Sequence, residues 1–597
     1  MSQWQAKLGQ VNEACQRGEL VKAKALLQRL LGQQGENAHV VVTMARVLRS
    51  MGEFRESVYY ARRACGLRPQ DGELLSELGL SLARSSDPDA EPVLRRAIGV
   101  QPDSRTAHVV LCKLLNDGGR WAELARDGQA AIDSGVIDAG LYMGTASALA
   151  HLCRTGEAAR VIGQAQLAFP SDYPIAQLAC FCSNYTYPIE SERVFAVHCN
   201  HGRLISQNSL FARGHIKAPS ASDSERVLRV AFFSSDLREH SVASFIAPIF
   251  ANLDRRRFHV TGVFHNTRAD TVTERLRSLC DDWVQLTTGA YRAVAEQMRA
   301  RNFDLAVDLN GVTGGNVLPL FQIGVAPVQV TYLGYPNTTG LDVIGHRFVD
   351  SFTDPAGDPY EAQRFAVERL VRLDPCFLCY TPPSVERLPP TGLRPLDGVR
   401  PLTLGSFNAT FKINRHILGL WKSIMDRLPD ARLIFRSVSI STQATAETVR
   451  ETFAREGLVG ARIEVRPATA TITDHLAQYQ QIDIALDSFP YHGTTTTCEA
   501  LLMGVPVVSL VGSSHASRVG LSLLTAVGLS ELVATSDADY VEKVVNLAED
   551  RQRLSRYHQT LRDRLYQSVL CDGRAMGTRF GAALSTIWAE AVQRPNN

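Results

Sequence analysis

The hydrophobic pattern changes character partway along the chain. Over residues 1–185, apolar and small side chains recur at helical spacing, as in Leu74-Leu75-Ser76-Glu77-Leu78-Gly79-Leu80-Ser81-Leu82-Ala83-Arg84. This is the signature of a helix with one face toward a core. Gly18 in Arg17-Gly18-Glu19-Leu20 and Gly52 in Met51-Gly52-Glu53-Phe54 stand 34 residues apart, and Gly119 and Gly156 prolong the series less regularly. A second marker, the proline closing Gly66-Leu67-Arg68-Pro69 and Gly99-Val100-Gln101-Pro102, steps by 33. Glycine opens the turn between two helices and proline stops the second, so each period predicts an antiparallel helix pair. Pairs stacked at this period make an α-helical solenoid with a concave groove suited to extended peptides.

From Arg226 onward short apolar runs replace the helical period: Val227–Phe233, Phe258–Phe264, Leu305–Leu309 and Val328–Leu333, with helix-length stretches such as Val272–Cys280 and Val294–Arg301 between them. After a proline-rich segment, Thr381 to Pro401, the pattern restarts with Leu402–Phe407, Arg432–Phe435, Ile463–Val465, Ile482–Leu486 and Pro506–Leu510. Strands alternating with helices predict parallel α/β sheets, here two Rossmann-like domains, whose ligands bind beyond the carboxyl ends of the strands. The boundaries drawn from this are a repeat solenoid at 1–185, a helical linker at 186–225, and α/β domains at 226–395 and 396–597.

Composition narrows the function. Sixty-three basic against 61 acidic residues leave a net charge of +2, too little to recruit nucleic acid or an anionic membrane by charge. The first seven residues carry no leader pattern and no run of 18 apolar residues occurs, so a cytoplasmic protein without membrane partner is expected. The 12 cysteines read as reduced thiols, and Cys376-Phe377-Leu378-Cys379 lacks a second pair at metal-site spacing. Homo-oligomerisation is left open.

No Gly-x-Gly-x-x-Gly follows the first strand of either sheet, and no Walker-type Gly-Lys-Ser/Thr loop is present. A phosphate must be held another way. The candidate is Asp487-Ser488-Phe489-Pro490-Tyr491-His492-Gly493-Thr494-Thr495-Thr496-Thr497-Cys498-Glu499, where a strand runs into a glycine turn and four hydroxyls open a helix. Unpaired N–H groups at a helix start, with the positive end of its dipole and added hydroxyl donors, make a pyrophosphate cradle from Gly493, Thr494, Thr495, Thr496 and Thr497. Thr496-Thr497-Cys498-Glu499 also fits a capping box that only starts the helix. Glu499, one turn in, could accept hydrogen bonds from a ribose.

In these segments and others, residues 226–590 resemble the catalytic region of the protein O-GlcNAc transferase family, whose members follow tetratricopeptide repeats with an α/β GT-B glycosyltransferase fold. The resemblance rests on Ser234-Ser235-Asp236-Leu237-Arg238-Glu239-His240-Ser241, Asn310-Gly311-Val312-Thr313, Ala326-Pro327-Val328-Gln329, Gly334-Tyr335-Pro336-Asn337-Thr338-Thr339-Gly340, Phe407-Asn408-Ala409-Thr410-Phe411-Lys412-Ile413, the threonine cradle and Ala516-Ser517-Arg518-Val519. Several details, Tyr335 to Leu341, Cys376 to Pro382 and Phe489-Pro490-Tyr491 among them, are closer to the SPINDLY-type protein O-fucosyltransferase branch.

What the resemblance implies is an inverting, metal-independent protein O-glycosyltransferase without cofactor, moving GlcNAc from UDP-GlcNAc to Ser or Thr of protein or peptide acceptors in the repeat groove. GDP-fucose is the alternative donor, and a non-catalytic repeat scaffold the alternative of another class. It makes 226–395 the acceptor-side domain and 396–597 the nucleotide-sugar-binding one, with terminal helices crossing back to the first sheet. Lys412 would be the fixed cation at the diphosphate, and Asp236 and His240 would move a proton or orient the sugar. His475 would stack on the base, and Pro336 and Asn337 would join the donor site, with His201 near the sugar. Ile472, Ala409 and Glu499 depart from the animal O-GlcNAc pattern. Neither Asp87-Pro88-Asp89 nor Asp537-Ala538-Asp539 falls at a strand end where a metal would be needed.

Overall fold

The structure, a computed structural model, describes residues 3–34, 37–219, 226–286, 289–357, 361–384, 386, 388–389 and 401–593. It divides into two compact units, residues 1–150 and 151–597. The first is a run of helices joined by short turns: Gln3–Gln16, Leu20–Gln34, Ala38–Ser50, Phe54–Leu67, Gly72–Arg84, Ala90–Val100, Arg105–Asp117, Trp121–Asp133 and, at its end, Ala139–His151. Three of the four marker glycines turn the chain with positive φ, +74° at Gly18, +79° at Gly52 and +64° at Gly119, a conformation that costs other residues a Cβ clash, whereas Gly156 lies inside the helix Thr155–Ala168 and Cys153 takes the positive φ of that turn, +59°. Asp71 and Ser104 cap the helices that follow the two marker prolines. Val11, Ala23, Leu27, Val40, Met44 and Leu48 form one stretch of the inter-helix core. This is tetratricopeptide-type architecture, as the period predicts.

The compact division falls at 150/151, earlier than the 185 drawn from the repeat. The helices Thr155–Ala168, Tyr173–Ser183 and Ser191–Ser206 keep the helical period but spend their faces on the α/β region. Cys180 and Ile205 share a core with Phe233, Ala306 and Phe321 of the first sheet and its helix, and Gln177 Nε2 donates to the carbonyls of Val312 and Thr313 at 3.1 and 3.2 Å. Periodicity reports that a helix has an apolar face, not what that face meets.

The first sheet has seven parallel strands, β1 Leu228–Ser234, β2 Phe258–Phe264, β3 Asp282–Gln285, β4 Leu305–Asp308, β5 Val328–Thr331, β6 His346–Val349 and β7 Arg369–Arg372, in the order β3-β2-β1-β4-β5-β6-β7. The second has six, β8 Thr403–Ser406, β9 Arg432–Arg436, β10 Ile463–Arg466, β11 Ile484–Leu486, β12 Val507–Leu510 and β13 Val533–Ala534, in the order β10-β9-β8-β11-β12-β13. In each, the order reverses once: between β1 and β4, and between β8 and β11. At such switch points adjacent loops leave the sheet in opposite directions and open a crevice. The proline-rich connection and the boundary at 395/396 lie largely outside the described residues, as does the end of the 186–225 linker.

The terminal helix Gly573–Gln593 returns to the first sheet, as the resemblance implies. Phe580 packs its ring against Phe348, Tyr332 and Phe232 at centroid distances of 4.8, 5.2 and 6.1 Å. The two sheets are also tied directly: Arg518 Nε donates to Phe352 O at 2.7 Å, Ser522 Oγ to Asp350 at 2.5 Å, and His515 Nδ1 bonds the buried Asp354 carboxylate. Among the described residues no helix is long and apolar enough to cross a membrane.

Candidate active site

At the β1/β4 switch point the chain places Asp236 and Asn310 side by side. Asp308 closes the turn after β4, its carboxylate accepting from the N–H groups of Asn310 (3.1 Å) and Gly311 (2.8 Å) and from Thr331 Oγ1 (2.8 Å). Burial pushes its carboxyl up to about 6 despite those donors. Asn310, thus fixed, accepts the Ser235 N–H at 3.0 Å and donates to Asp236 Oδ2 at 3.1 Å. The Ser235 hydroxyl donates to the same oxygen at 3.2 Å, and Arg238 stands 3.5 Å from the other. An amide, a hydroxyl and a guanidinium therefore fix the Asp236 carboxylate in place.

His240 lies 4.0 Å from Asp236, and its Nδ1 caps the helix Ser241–Asn252 by accepting the Val242 N–H at 3.3 Å. An imidazole whose Nδ1 accepts carries its proton on Nε2. Its side chain is 40% exposed, and partial desolvation draws its protonation below the ordinary histidine range, with Asp236 opposing and Arg238 reinforcing. In this arrangement His240 presents a donor and is suited to orient a hydroxyl; to accept a proton it must give up the cap.

At the β8/β11 switch point the cradle and the lysine meet. Asp487, buried after β11, accepts the N–H groups of Ser488 (2.9 Å) and Gly493 (2.7 Å) and bonds the Ser509 hydroxyl. His492 is locked as well, donating from Nε2 to Leu510 O at 2.7 Å and accepting the Gly520 N–H on Nδ1 at 2.9 Å. Burial keeps its imidazole neutral-leaning, below the usual range. With both ends fixed, the His492 carbonyl points at Lys412, whose Nζ donates to it at 2.7 Å and lies 4.4 Å above the Tyr491 ring. Burial lowers the ammonium to about 8, the Asp487 carboxylate resisting the fall.

The threonine helix runs Thr495–Leu502, and Thr494 precedes it without a side-chain cap bond. The capping-box reading is thus not realised. Thr496 Oγ1 donates to Asn408 Oδ1 at 3.0 Å, Thr497 Oγ1 to Gly493 O at 3.2 Å, and Thr495 Oγ1 is buried without a partner. The leading N–H groups, as at any helix start, lack intrahelical acceptors. Glu499 is already engaged: His475 Nε2 stands 3.1 Å from its Oε2 and Tyr479 OH donates to the same oxygen at 3.4 Å. The ring of Phe407 sits 4.6 Å from Tyr479 and 6.1 Å from His475.

Lys412, Gly493, Thr494, Thr495, Thr496, Thr497, Glu499 and His475 thus form one connected group, and Asp236 and His240 another. Pro336 and Asn337 join neither directly. Asn337 donates to Asn184 Oδ1 at 2.9 Å, and the adjoining Tyr335 hydroxyl accepts from Asn184 Nδ2 at 2.6 Å and donates to His198 Nε2 at 2.8 Å, the His198 Nδ1–H being spent on Val194 O. Rings connect them to the lysine, Tyr335 to Phe181 at 6.0 Å, Phe181 to Tyr185 at 5.5 Å, and Tyr185 to Tyr491 at 4.9 Å. His201 is 1% exposed, and burial brings its imidazole down to about 4. Burial also drives both thiols of Cys376 and Cys379 up to about 12, as inert core cysteines. Asp89 is spent on Arg62 at 2.8 Å and Asp537 on His416 at 3.1 Å.

The model of glycosyl transferase family 41 matches residues 181–378 and 401–579, spanning both switch points. The chain belongs to glycosyltransferase family 41. Among relatives, a protein of Arabidopsis thaliana named as the probable UDP-N-acetylglucosamine–peptide N-acetylglucosaminyltransferase SPINDLY is 37% identical over 427 residues, 70% of this chain and 45% of that one. The Arabidopsis SEC protein, given the same activity, is 26% identical over 387 residues, 63% of this chain and 38% of its own. This family 41 chain therefore spans less than half the length of these relatives. Among solved structures, a lysine-to-methionine mutant of the Thermobaculum terrenum O-GlcNAc transferase superposes with TM-score 0.71 at 27% identity, covering 93% of this chain and 98% of that one. Two parallel-sheet lobes in the GT-B arrangement, preceded by helical repeats, make up the fold of this family 41 chain.

Proposed function

We propose that this glycosyltransferase moves one sugar from a nucleoside diphosphate donor, UDP-GlcNAc first, to serine or threonine hydroxyls of proteins, inverting the anomeric centre. One observation carries the reading: Lys412 Nζ sits 2.7 Å from the carbonyl immediately before Gly493, which sets an ammonium at the mouth of the threonine helix. Breaking the sugar–phosphate bond leaves charge on the diphosphate, and a fixed cation, a helix start and a hydroxyl in place beforehand stabilise that charge without rearranging. The acceptor hydroxyl attacks the anomeric carbon from the face opposite the departing diphosphate and passes its proton, directly or through water, to the Asp236 carboxylate, while the His240 Nε2–H orients the incoming oxygen. The donor follows the names of the relatives, and the preceding helical repeats suit extended peptide acceptors.

The test is the full chain incubated with UDP-GlcNAc, GDP-fucose or UDP-glucose and a protein extract, reading nucleotide release and acceptor mass. UDP release with N-acetylhexosamine on Ser or Thr is expected, and activity should persist in EDTA. Fucose transfer would replace the donor assignment; release from no donor would make the protein a scaffold.

A further inference from the structure

Buried polar atoms without a partner are rare in folded proteins, and each asks what satisfies it. In the second lobe they concentrate at the carboxyl edge of the sheet: Thr410 Oγ1 just after β8, both terminal nitrogens of Arg436 at the end of β9, and Thr495 Oγ1 after β11. Arg436 is the most demanding of them. It is 3% exposed, and of its guanidinium only Nε is used, donating to Pro467 O at 2.8 Å. Its register partner on β10 is a second arginine, Arg466, whose own guanidinium is taken by Glu464 and Gln481. Asp474, on the helix Ile472–Gln478 that follows β10, is occupied by Thr471 Oγ1 at 2.7 Å. Among the described residues no carboxylate pairs with Arg436. A buried guanidinium with two idle nitrogens beside a like charge is a net cost unless a ligand completes it.

Its place identifies which part of a donor would do so. Ser437, the next residue, takes the Thr410 N–H on its hydroxyl at 3.2 Å, so the end of β9 abuts the turn that carries Lys412. The diphosphate site lies at β8 and β11. Arg436 lies one strand further toward β10, on the side of His475, roughly 10 Å from the cradle strand at about 4.8 Å per strand. That is the reach from a diphosphate to its nucleoside. We infer that Arg436 is a specificity-determining residue of the donor site, its two free guanidinium nitrogens donating to the carbonyl that marks a keto nucleobase, O4 of uracil or O6 of guanine, where cytosine and adenine carry an amino group. The inference rests on the donor-site reading above. A guanidinium has donors only. It satisfies the carbonyl of uracil or guanine, whereas the amino group of cytosine or adenine would face it donor to donor and leave the charge unpaired.

Calorimetric titration of the full chain with UDP, CDP, GDP, ADP and inorganic pyrophosphate tests this. In whichever of the pairs UDP/CDP or GDP/ADP the pocket admits, the keto nucleotide binds at least about tenfold more tightly. In Arg436→Met that ratio falls to within about twofold while pyrophosphate affinity and the melting temperature hold. Should Arg436→Met fold poorly, Arg436→Gln serves instead: its amide can turn either a donor or an acceptor to the base, and the ratio again collapses. An unchanged ratio in the variants overturns the assignment, as does an equal loss for every ligand including pyrophosphate, which would make Arg436 a phosphate contact or a structural group. Binding of no nucleotide by the natural chain would instead refute the donor site itself.

Discussion

Lys412 has to remain charged in a place where water is scarce, and its surroundings show how nearly these demands conflict. Its direct contacts are a carbonyl and a ring face, and its ammonium titrates at about 8 rather than 10.5. Because leaving-group stabilisation needs the cation, kcat/KM should fall as pH rises through about 8, and a bound diphosphate should shift the fall in kcat to higher pH. Lys412→Arg, a permanent cation, should carry the alkaline limb upward if the site admits the fork; Lys412→Ala should abolish turnover with an unchanged melting curve. The sign for stability is opposite. Between about 8 and 10.5 the unfolded chain binds more protons at this lysine than the folded one, so its contribution makes stability rise with pH over that window. His240 separates two roles in the same manner. His240→Asn keeps an N-cap, so a large loss of kcat with an unchanged melting temperature would assign the ring a role at the substrate, whereas activity near that of the natural chain would make it a cap only. Lys412, the threonines and Asp236 were legible as residue types in a motif. Asn310, Asp487 and His492 stood in the same motifs without a role, because their work is to close turns, which spacing does not reveal.

At the scale of the element, the cradle is a loop held at both ends before its helix begins. Asp487 pins the Gly493 N–H at 2.7 Å, and His492 bridges Leu510 and Gly520. The four hydroxyls marked this loop in the sequence; what remained hidden was their division, Thr496 and Thr497 bonded to Asn408 and Gly493, Thr495 buried without a partner, and Thr494 ahead of the helix without a cap bond. A side chain at 493 would collide with the arrangement, since a Cβ there would lie 2.4 Å from Thr496 Oγ1 and 2.9 Å from Asn408 Oδ1. Gly493→Ala should therefore displace the helix start and weaken UDP or GDP binding at least about tenfold while the chain stays folded, checked by titration beside a far-UV melt. Asp487→Ala leaves several buried donors without acceptor and should cost about 3 kcal/mol of stability as well as nucleotide affinity. If both variants bound nucleotide like the natural chain, the diphosphate would not sit at this loop.

For the molecule as a whole, what the sequence pattern conveyed was the succession of helical period and strand period, and what it withheld was adjacency. The long apolar runs became β1, β2, β4, β5 and the centre of the second sheet. The strands β3, β6, β7 and β13, of two to four residues with polar members such as His346 and Arg369, passed below the threshold of pattern. The return of the final helix came from resemblance, since an amphipathic helix near a terminus can cover any apolar surface. Its destination has an energetic consequence far from the site. Phe580 is fully buried between Phe232 of β1, Tyr332 after β5 and Phe348 of β6, so residues at the end of the chain complete the face of a sheet that starts at residue 228. Truncation there leaves a ring-sized void that rigid strands cannot collapse to fill. Phe580→Ala should lower the unfolding free energy by about 3–5 kcal/mol, measured by denaturant titration, while kcat at moderate temperature stays near that of the natural chain because its ring partners, Phe232, Tyr332 and Phe348, are core residues and not members of either candidate site group. A cost under about 1 kcal/mol would mean that the helix only leans on the sheet, and a loss of kcat without loss of stability would mean that its docking sets the geometry of the first-lobe site.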